Sequence, residues 1–170
     1  MRKFKIILLV LFGLWLAYVS YLYITSPRVT YLVRKGYEGP LLIIGNQKDG
    51  IDINRNHTVY DFTENNVIKI KGDLLTGFFP WGYLNYYSVD ENGKEEKLET
   101  IDDAPEKSEA IDGKFYVWSY YYTTGGCEVR ENGKTYYESV IISTKSNTSM
   151  VVQKKNQLIN HEVCNRKAVQ

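Results

Sequence analysis

The two cysteines, Cys127 and Cys164, are the residues of this sequence with the most direct covalent chemistry. Outside a reducing cytoplasm, two cysteines in one domain often pair. The loop that they would close, about 37 residues long, would stabilise the domain by roughly 4 kcal/mol in the chain-entropy description. The alternatives are free thiols, or a metal or nucleophilic site that also uses His161, because a reactive thiolate needs a nearby base. We predict a Cys127–Cys164 disulfide.

Carboxylates are grouped in two segments, and neither group has the spacing of a known site. In DGIDINRN (49–56), Asp49, Asp52 and Asn54 follow the calcium-loop pattern only in part, since Ile51 stands at its third position. The polar segment 102–114 carries four acidic residues, at 102, 103, 106 and 109. General acid–base catalysis needs two carboxylates held about 5–10 Å apart across a cleft, which a polar loop does not provide. Both segments are interpreted as solvated loops.

Aromatic side chains form the pattern that most resembles a binding surface. In the predicted strand 114–124, the period-two alternation of a strand places one row on a single face, namely Tyr116, Trp118, Tyr120 and Tyr122. If that row is exposed, it can stack on sugar rings or receive a partner protein, and Trp81 can add to it. If the row is inside, it is core, which is the outcome that we expect for Trp118.

Charge and motifs restrict the classes of function. Three of the 21 basic residues precede residue 6, so the rest of the chain carries 18 basic and 20 acidic residues. That balance argues against nucleic acid, which needs a basic face. The sequence contains no Gly-x-Ser-x-Gly, phosphate-binding loop, His-Glu-x-x-His or paired Cys-x-x-Cys motif. We therefore expect a non-enzymatic protein without a metal or cofactor.

The elements that position these residues begin with an uncharged run at 6–24, IILLVLFGLWLAYVSYLYI. As a helix it would be roughly 28 Å long, close to the hydrocarbon thickness of a bilayer. We predict a cytoplasmic head (1–5), a transmembrane helix or signal anchor (6–24), a linker (25–30), an extracytoplasmic β domain (31–166) and a tail (167–170). A cleaved signal peptide is the alternative, but a large residue, Tyr18, stands at the −3 position of a cleavage site near Ser20.

Short β-rich runs separated by turn residues occupy the rest of the chain. PLLIIG (40–45) is a continuous apolar run typical of a strand buried on both faces. Asn92-Gly93 and Asn132-Gly133 predict two hairpins, because both residues of such a pair tolerate positive φ. No amphipathic helix is predicted after Pro27, and the runs in 149–163 are taken as closing strands. The pattern indicates an all-β antiparallel sandwich behind one N-terminal transmembrane helix.

One part of the chain resembles a bacterial domain family of unknown function. The shared features are Tyr31-Leu32-Val33-x-x-Gly36-Tyr37-x-Gly39, followed by strand and turn segments at Tyr60–Val67 and Tyr83–Lys94. The sequence departs from the family pattern at Arg34, Thr63 and Asn66, and the likeness covers about residues 31–101. The resemblance implies a small protein behind a signal, lipid anchor or span, and carries no known activity. The same pattern is also similar to prealbumin-like sandwich modules.

These observations predict a protein of the cell envelope that works by binding or by supporting a complex. Its expected partners are the lipid bilayer, through residues 6–24, and an envelope protein or a glycan. The leading alternative is a cell-wall-binding module that uses the exposed Trp and Tyr side chains. The second alternative is an envelope enzyme.

Overall fold

The computed structural model describes residues 2–25, 28–54, 57–74, 83–129 and 133–164. These residues form two helices and nine strands. Their bounds are α1 Arg2–Thr25, β1 Arg28–Arg34, β2 Gly39–Ile44, β3 His57–Phe62, β4 Val67–Lys69, β5 Tyr83–Val89, β6 Glu95–Lys97, β7 Glu99–Ile101, β8 Tyr116–Val129, β9 Gly133–Ser143 and α2 Thr148–Glu162.

The strands form two mixed sheets, so the antiparallel arrangement predicted from the sequence is wrong. The four-stranded sheet has the order β3-β1-β5-β6 and the five-stranded sheet the order β4-β2-β9-β8-β7. From β1 to β5 the chain alternates between the sheets, so β1 lies parallel to both β3 and β5, and β2 lies parallel to β4. Parallel neighbours need such crossover connections, whereas a short hairpin joins only antiparallel strands.

Both Asn-Gly pairs lie between antiparallel strands, as predicted. β5 pairs with β6 around Asn92-Gly93, where Gly93 has a φ of +78° and its N–H donates to the carbonyl of Asp90. β8 pairs with β9 across the second Asn-Gly segment, with Val129 opposite Gly133. Residues 130–132 of that connection lie outside the described residues.

The main core lies between the two sheets. β1 alternates strictly and buries Val29, Tyr31 and Val33 on its inner face. One apolar cluster joins these residues to Leu41 and Ile43 of β2. This packing of two sheet faces is the arrangement of a sandwich.

Helix α2 covers the outer face of the five-stranded sheet, and no helix was predicted there. It buries Thr148, Val151, Lys155 and Ile159, a spacing of three and four residues that marks one helix face. Strand β2 therefore lies between two layers and is buried at all six positions, which confirms the prediction for 40–45. The runs taken as closing strands are helical instead, so the domain is mostly β rather than all-β.

Residues 6–24 lie within α1, whose side chains at the described positions 9–21 are exposed. Across the described part of the chain, no helix combines the length and hydropathy needed to cross a membrane. The transmembrane span and single-pass topology predicted for this run are therefore not supported.

Candidate ligand-binding cleft

An open cleft of about 990 Å³ lies between the edges of the two sheets, where the chain crosses from β6 to β7. Leu98 is the crossing residue, and its N–H donates to the carbonyl of Tyr86 on β5. The floor of the cleft is apolar and comes from both sheets, as Val33, Leu84, Leu98, Phe115 and Ile142. Its volume is at the upper end of the range for small-molecule sites.

The floor continues the main core towards solvent. Val33 and Ile142 are buried, whereas Leu98 and Phe115 are partly buried and pack against the core cluster. Leu84, at the start of β5, is 36% exposed. An apolar group in the cleft would therefore extend contacts that already exist between the sheets.

Two ion pairs lie at the rim of the cleft. Lys35 lies 3.5 Å from Glu96, and Lys114 lies 2.5 Å from Glu99. Lys114 also lies over the ring of Tyr116, 5.2 Å from its centroid. The carboxylate of Glu99 raises the pKa of Lys114 through the hydrogen bond between them. Arg34 and Lys97 also line the cleft.

The turn Lys35–Tyr37 forms one end of the cleft, and hydrogen bonds hold it on both sides. The Lys35 N–H donates to the carbonyl of Val89, and the Tyr37 N–H closes a turn onto Arg34. Gly36 occupies the centre of that turn with a φ of +77°, a conformation that favours glycine. The Tyr37 hydroxyl donates to the carbonyl of Pro40 at 2.7 Å.

Glu38, which follows this turn, attaches it to the start of α2. Its carboxylate accepts hydrogen bonds from the backbone and hydroxyl of Thr144 and from the Asn147 side chain, at 2.9 to 3.0 Å. Burial raises the pKa of Glu38, but these hydrogen bonds and the charge of Lys154 outweigh burial and hold the pKa below its usual value. The Gly-Tyr-x-Gly segment thus has a structural role beside the cleft.

The predicted aromatic row is divided between different environments. Trp118 is completely buried and Tyr116 is 3% exposed, and both pack with Val151 of α2. Tyr122 instead packs against the core between the sheets, and Tyr120 is 56% exposed. Trp81 lies outside the described residues. The buried residues Tyr116 and Trp118 cannot form a stacking platform, so the row does not constitute the proposed glycan surface.

An irregularity in β8 is the reason that the alternation fails. Trp118 pairs with Ile141 and Thr123 pairs with Ser139, so β8 advances five residues while β9 advances two. The extra residues reverse which side chains face inward. Lys155 of α2 holds this region, because its ammonium group donates to Tyr121 O and Thr123 Oγ1, each at 2.8 Å. Burial lowers the pKa of Lys155.

The predicted disulfide is confirmed. Cys127 on β8 and Cys164, after α2, are bonded, with their Cα atoms 5.2 Å apart. The bond lies beside a small cluster in which Ile159 and Val163 pack on Leu42 and Ile44 of β2. It therefore fastens the end of α2 to the sheet that the helix covers.

The other candidate groups are held in surface contacts. Asp49 pairs with Lys69 and Asp52 with Lys71, while His161 lies 2.9 Å from Glu162. The acidic residues of 102–109 are exposed. Within the described ranges, no group of three or more His, Cys, Asp or Glu side chains could hold a metal ion.

A polar cluster inside the sandwich was missed by the sequence reasoning. Glu138 on β9 is 1% exposed and accepts a hydrogen bond from the Tyr31 hydroxyl. The Tyr31 ring stacks on Tyr86, with centroids 4.6 Å apart, and lies 5.4 Å from the ring of Tyr60. Burial raises the pKa of Glu138 to about 7, against the hydrogen bonds from Tyr31 and Tyr122. Burial, and then the charge of Glu138, raise the pKa of Tyr31.

Comparisons with known proteins identify no family for this chain. No family model matches it, and no curated protein matches it. Among solved structures it is similar to the crystal structure of a "putative lipoprotein from Bacillus anthracis". The identity is 13%, the TM-score is 0.48, and the match covers 82% of this chain and 97% of the other.

Proposed function

We propose that this protein is a non-enzymatic binding domain of the cell envelope, with the cleft between its two sheets as the binding surface. The cleft carries the proposal, because it combines an apolar floor with a charged rim. Binding sites are typically concave and mainly apolar, with few polar groups that orient the ligand. Rim carboxylates Glu96 and Glu99 are each paired with a lysine, which favours a role in recognition over proton transfer.

The proposed location rests on two further features. Disulfides persist mainly in oxidising compartments, so the Cys127–Cys164 bond supports a place outside the cytoplasm. Helix α1 exposes apolar side chains from Leu9 to Tyr21, among them Leu14 at 63% and Trp15 at 57%. Surfaces of this kind need a cover, and we propose that lipid of the envelope membrane supplies it.

Isotope-labelled full-length protein in zwitterionic lipid nanodiscs provides the test. Separated envelope fractions (lipid extract, soluble wall fragments and extracted envelope proteins) would be titrated while the backbone amide signals are followed. We expect at least one fraction to shift the signals of cleft residues such as Gly36, Ser88 and Lys114. Signals at the opposite edge, such as that of Val59, should stay in place.

A matched pair of variants makes the test specific to the cleft. Leu84→Glu adds a charge to the cleft wall, and Val59→Glu adds the same charge at a comparably exposed strand position elsewhere. The first variant should lose the response and the second should keep it. If no fraction shifts the cleft signals, or if both variants respond alike, the proposal is wrong.

A further inference from the structure

Three tyrosines form a row across the four-stranded sheet, on the face that packs against the other sheet. Tyr60 and Tyr86 each pair in register with Tyr31, so the three residues lie at the same level of β3, β1 and β5. Each is buried, with an exposed fraction of 4% or less, and all three belong to the core cluster between the sheets. The row therefore brings three hydroxyl groups into an otherwise apolar core.

Glu138 of β9 faces this row from the opposite sheet. One oxygen of its carboxyl group, Oε1, accepts the hydrogen bond from Tyr31, and Tyr122 of β8 brings a fourth hydroxyl group towards the same carboxyl. The other oxygen, Oε2, is buried and has no hydrogen-bond partner among the described residues. The hydroxyl group of Tyr60 is also buried without a partner there. Two polar atoms from opposite sheets are thus left unsatisfied in one part of the core.

These two unsatisfied atoms lie in the same neighbourhood. The ring of Tyr60 is 5.4 Å from the ring of Tyr31, whose hydroxyl group is bonded to Glu138. Burial, and then the charge of Glu138, raise the pKa of Tyr60. The two groups form no direct hydrogen bond with each other. One small bridging group between them would satisfy both.

Water fits this bridging position better than a metal ion does. A buried donor or acceptor without a partner keeps the full penalty of losing its water, and internal waters that make two to four hydrogen bonds usually remove this penalty. Cations such as Ca²⁺ and Mg²⁺ take about six or more oxygen ligands, and the described residues contain no group of three or more acidic, His or Cys side chains that could hold one. Water also serves both states of Glu138, since it donates to the carboxylate and accepts from the acid.

We infer that the core between the two sheets holds an ordered water molecule that bridges Glu138 and Tyr60. The water bonds to Oε2 of the carboxyl group and to the hydroxyl group of Tyr60. Neither residue lines the cleft, so this site is separate from the proposed binding surface. The inference stands independently of the proposed function.

Oxygen-17 relaxation dispersion, which counts water molecules held inside a protein, provides the direct test. Full-length protein and its variants would be measured in nanodiscs of the same zwitterionic lipid, so that the lipid background is equal. Tyr60→Phe removes only the hydroxyl group and should hold one internal water fewer than the wild type. Tyr120→Phe removes the same group from a ring that is 56% exposed and should match the wild type. Glu138→Gln should also keep the water, because an amide can still bond to it.

Urea denaturation tests the same site by the sign of a stability change. If the water is present, Tyr60→Phe removes one of its partners and should lower the urea midpoint, whereas Tyr120→Phe should leave the midpoint in place. If the Tyr60 hydroxyl group is instead unsatisfied, its removal should raise the midpoint, because a buried polar group without a partner is lost. An unchanged or raised midpoint for Tyr60→Phe, or a water count equal to that of the wild type, would overturn the inference.

The identity of the occupant needs one further comparison. Replacing sodium by potassium or choline at constant ionic strength should leave the urea midpoint of the wild type unchanged at pH 8. A midpoint that depends on the cation, and that loses this dependence in Glu138→Gln, would assign the site to a monovalent cation and overturn the bridging water.

Discussion

The buried carboxyl of Glu138 ties the stability of the domain to pH. Its pKa in the fold is about 7, above its ordinary value of 4.5, so the fold favours the protonated group. The stabilisation of the fold by protonated Glu138 is fully present below the pKa of this group in the unfolded chain, about 4.5. It is lost as the pH rises from there through 7. The loss amounts to about 3 kcal/mol, from 1.36 kcal/mol per pKa unit.

Glu138→Gln tests this dependence because the amide is neutral and still accepts a hydrogen bond from Tyr31. Denaturation in urea at pH 5 and pH 8 should show that the wild type loses more stability than the variant over this range. The comparison of the two proteins cancels the contribution of Glu38, which is the same in both. Parallel stability curves for the two proteins would show that Glu138 does not titrate between these pH values.

Trp118 is the second residue with a large predicted effect on stability. It is completely buried under α2, and its indole N–H donates to the carbonyl of Ser143 at 3.1 Å. Trp118→Ala should lower the free energy of unfolding by roughly 3–5 kcal/mol, through lost burial and the cavity that remains. The exposed neighbour Tyr120 provides the control, since Tyr120→Ala should cost far less. Equal losses in chemical denaturation would contradict this assignment.

At the scale of elements, β2 and the two hairpins could be predicted because their signals are local. An uninterrupted apolar run requires burial on both faces, and Asn-Gly requires a tight turn. Helix α2 was missed because Lys155 interrupts the apolar face formed by Val151 and Ile159, while adjacent Val151 and Val152 favour a strand. The methylenes of a lysine can be buried when its ammonium group finds acceptors, as it does at Tyr121 and Thr123.

Strand direction could not be predicted in the same way. The alternation of Val29, Tyr31 and Val33 reports which face is buried, and it is the same for parallel and antiparallel neighbours. The cleft was missed for a related reason, since its walls come from residues far apart in sequence, such as Val33, Leu84 and Ile142. The aromatic row was predicted from the alternation alone, which the irregularity between Trp118 and Thr123 interrupts.

The attachment of α2 through Glu38 gives a prediction at this scale. Glu38→Ala removes the acceptor for Thr144 and Asn147, and loss of such hydrogen bonds at a helix start costs about 1 to 2 kcal/mol. Since the pKa of Glu38 is lowered in the fold, its contribution is present at neutral pH and is lost as pH falls through that pKa. Hydrogen exchange should accelerate first in α2, and the exposed variant Glu64→Ala should leave it unchanged.

The disulfide holds the other end of the same helix. Cys127→Ser with Cys164→Ser should reduce stability by roughly 4 kcal/mol, since the bond closes a long loop in the unfolded chain. Reduction of the wild type should produce the same loss, and it should have no effect on the double variant. If the reduced and oxidised proteins unfold at the same urea concentration, the bond does not stabilise the attachment of α2.

At the scale of the whole molecule, α1 exposes its apolar side chains, whereas the apolar cores of the β domain are buried. Its described side chains are exposed on every side of the helix, including Leu11 at 60% and Leu14 at 63%. A helix that is apolar all round is stable in an apolar environment. In the described part of the β domain, the exposed aliphatic side chains Ile51 and Val59 lie beside charged residues such as Asp49 and Lys69, and a small apolar area of this kind is ordinary.

Full-length protein should therefore sediment with zwitterionic vesicles through α1. Leu11→Asp with Leu14→Asp places two charges on the exposed apolar surface of the helix, where contact with lipid would require the carboxylates to lose water. Vesicle binding should fall at least tenfold, whereas Ile51→Asp with Val59→Asp, which adds the same charge to the β domain, should bind as the wild type does. Circular dichroism of both double variants would show that the β domain remains folded. If the α1 variant sediments as well as the wild type, lipid does not cover this helix, and the proposed association with the envelope membrane through α1 is wrong.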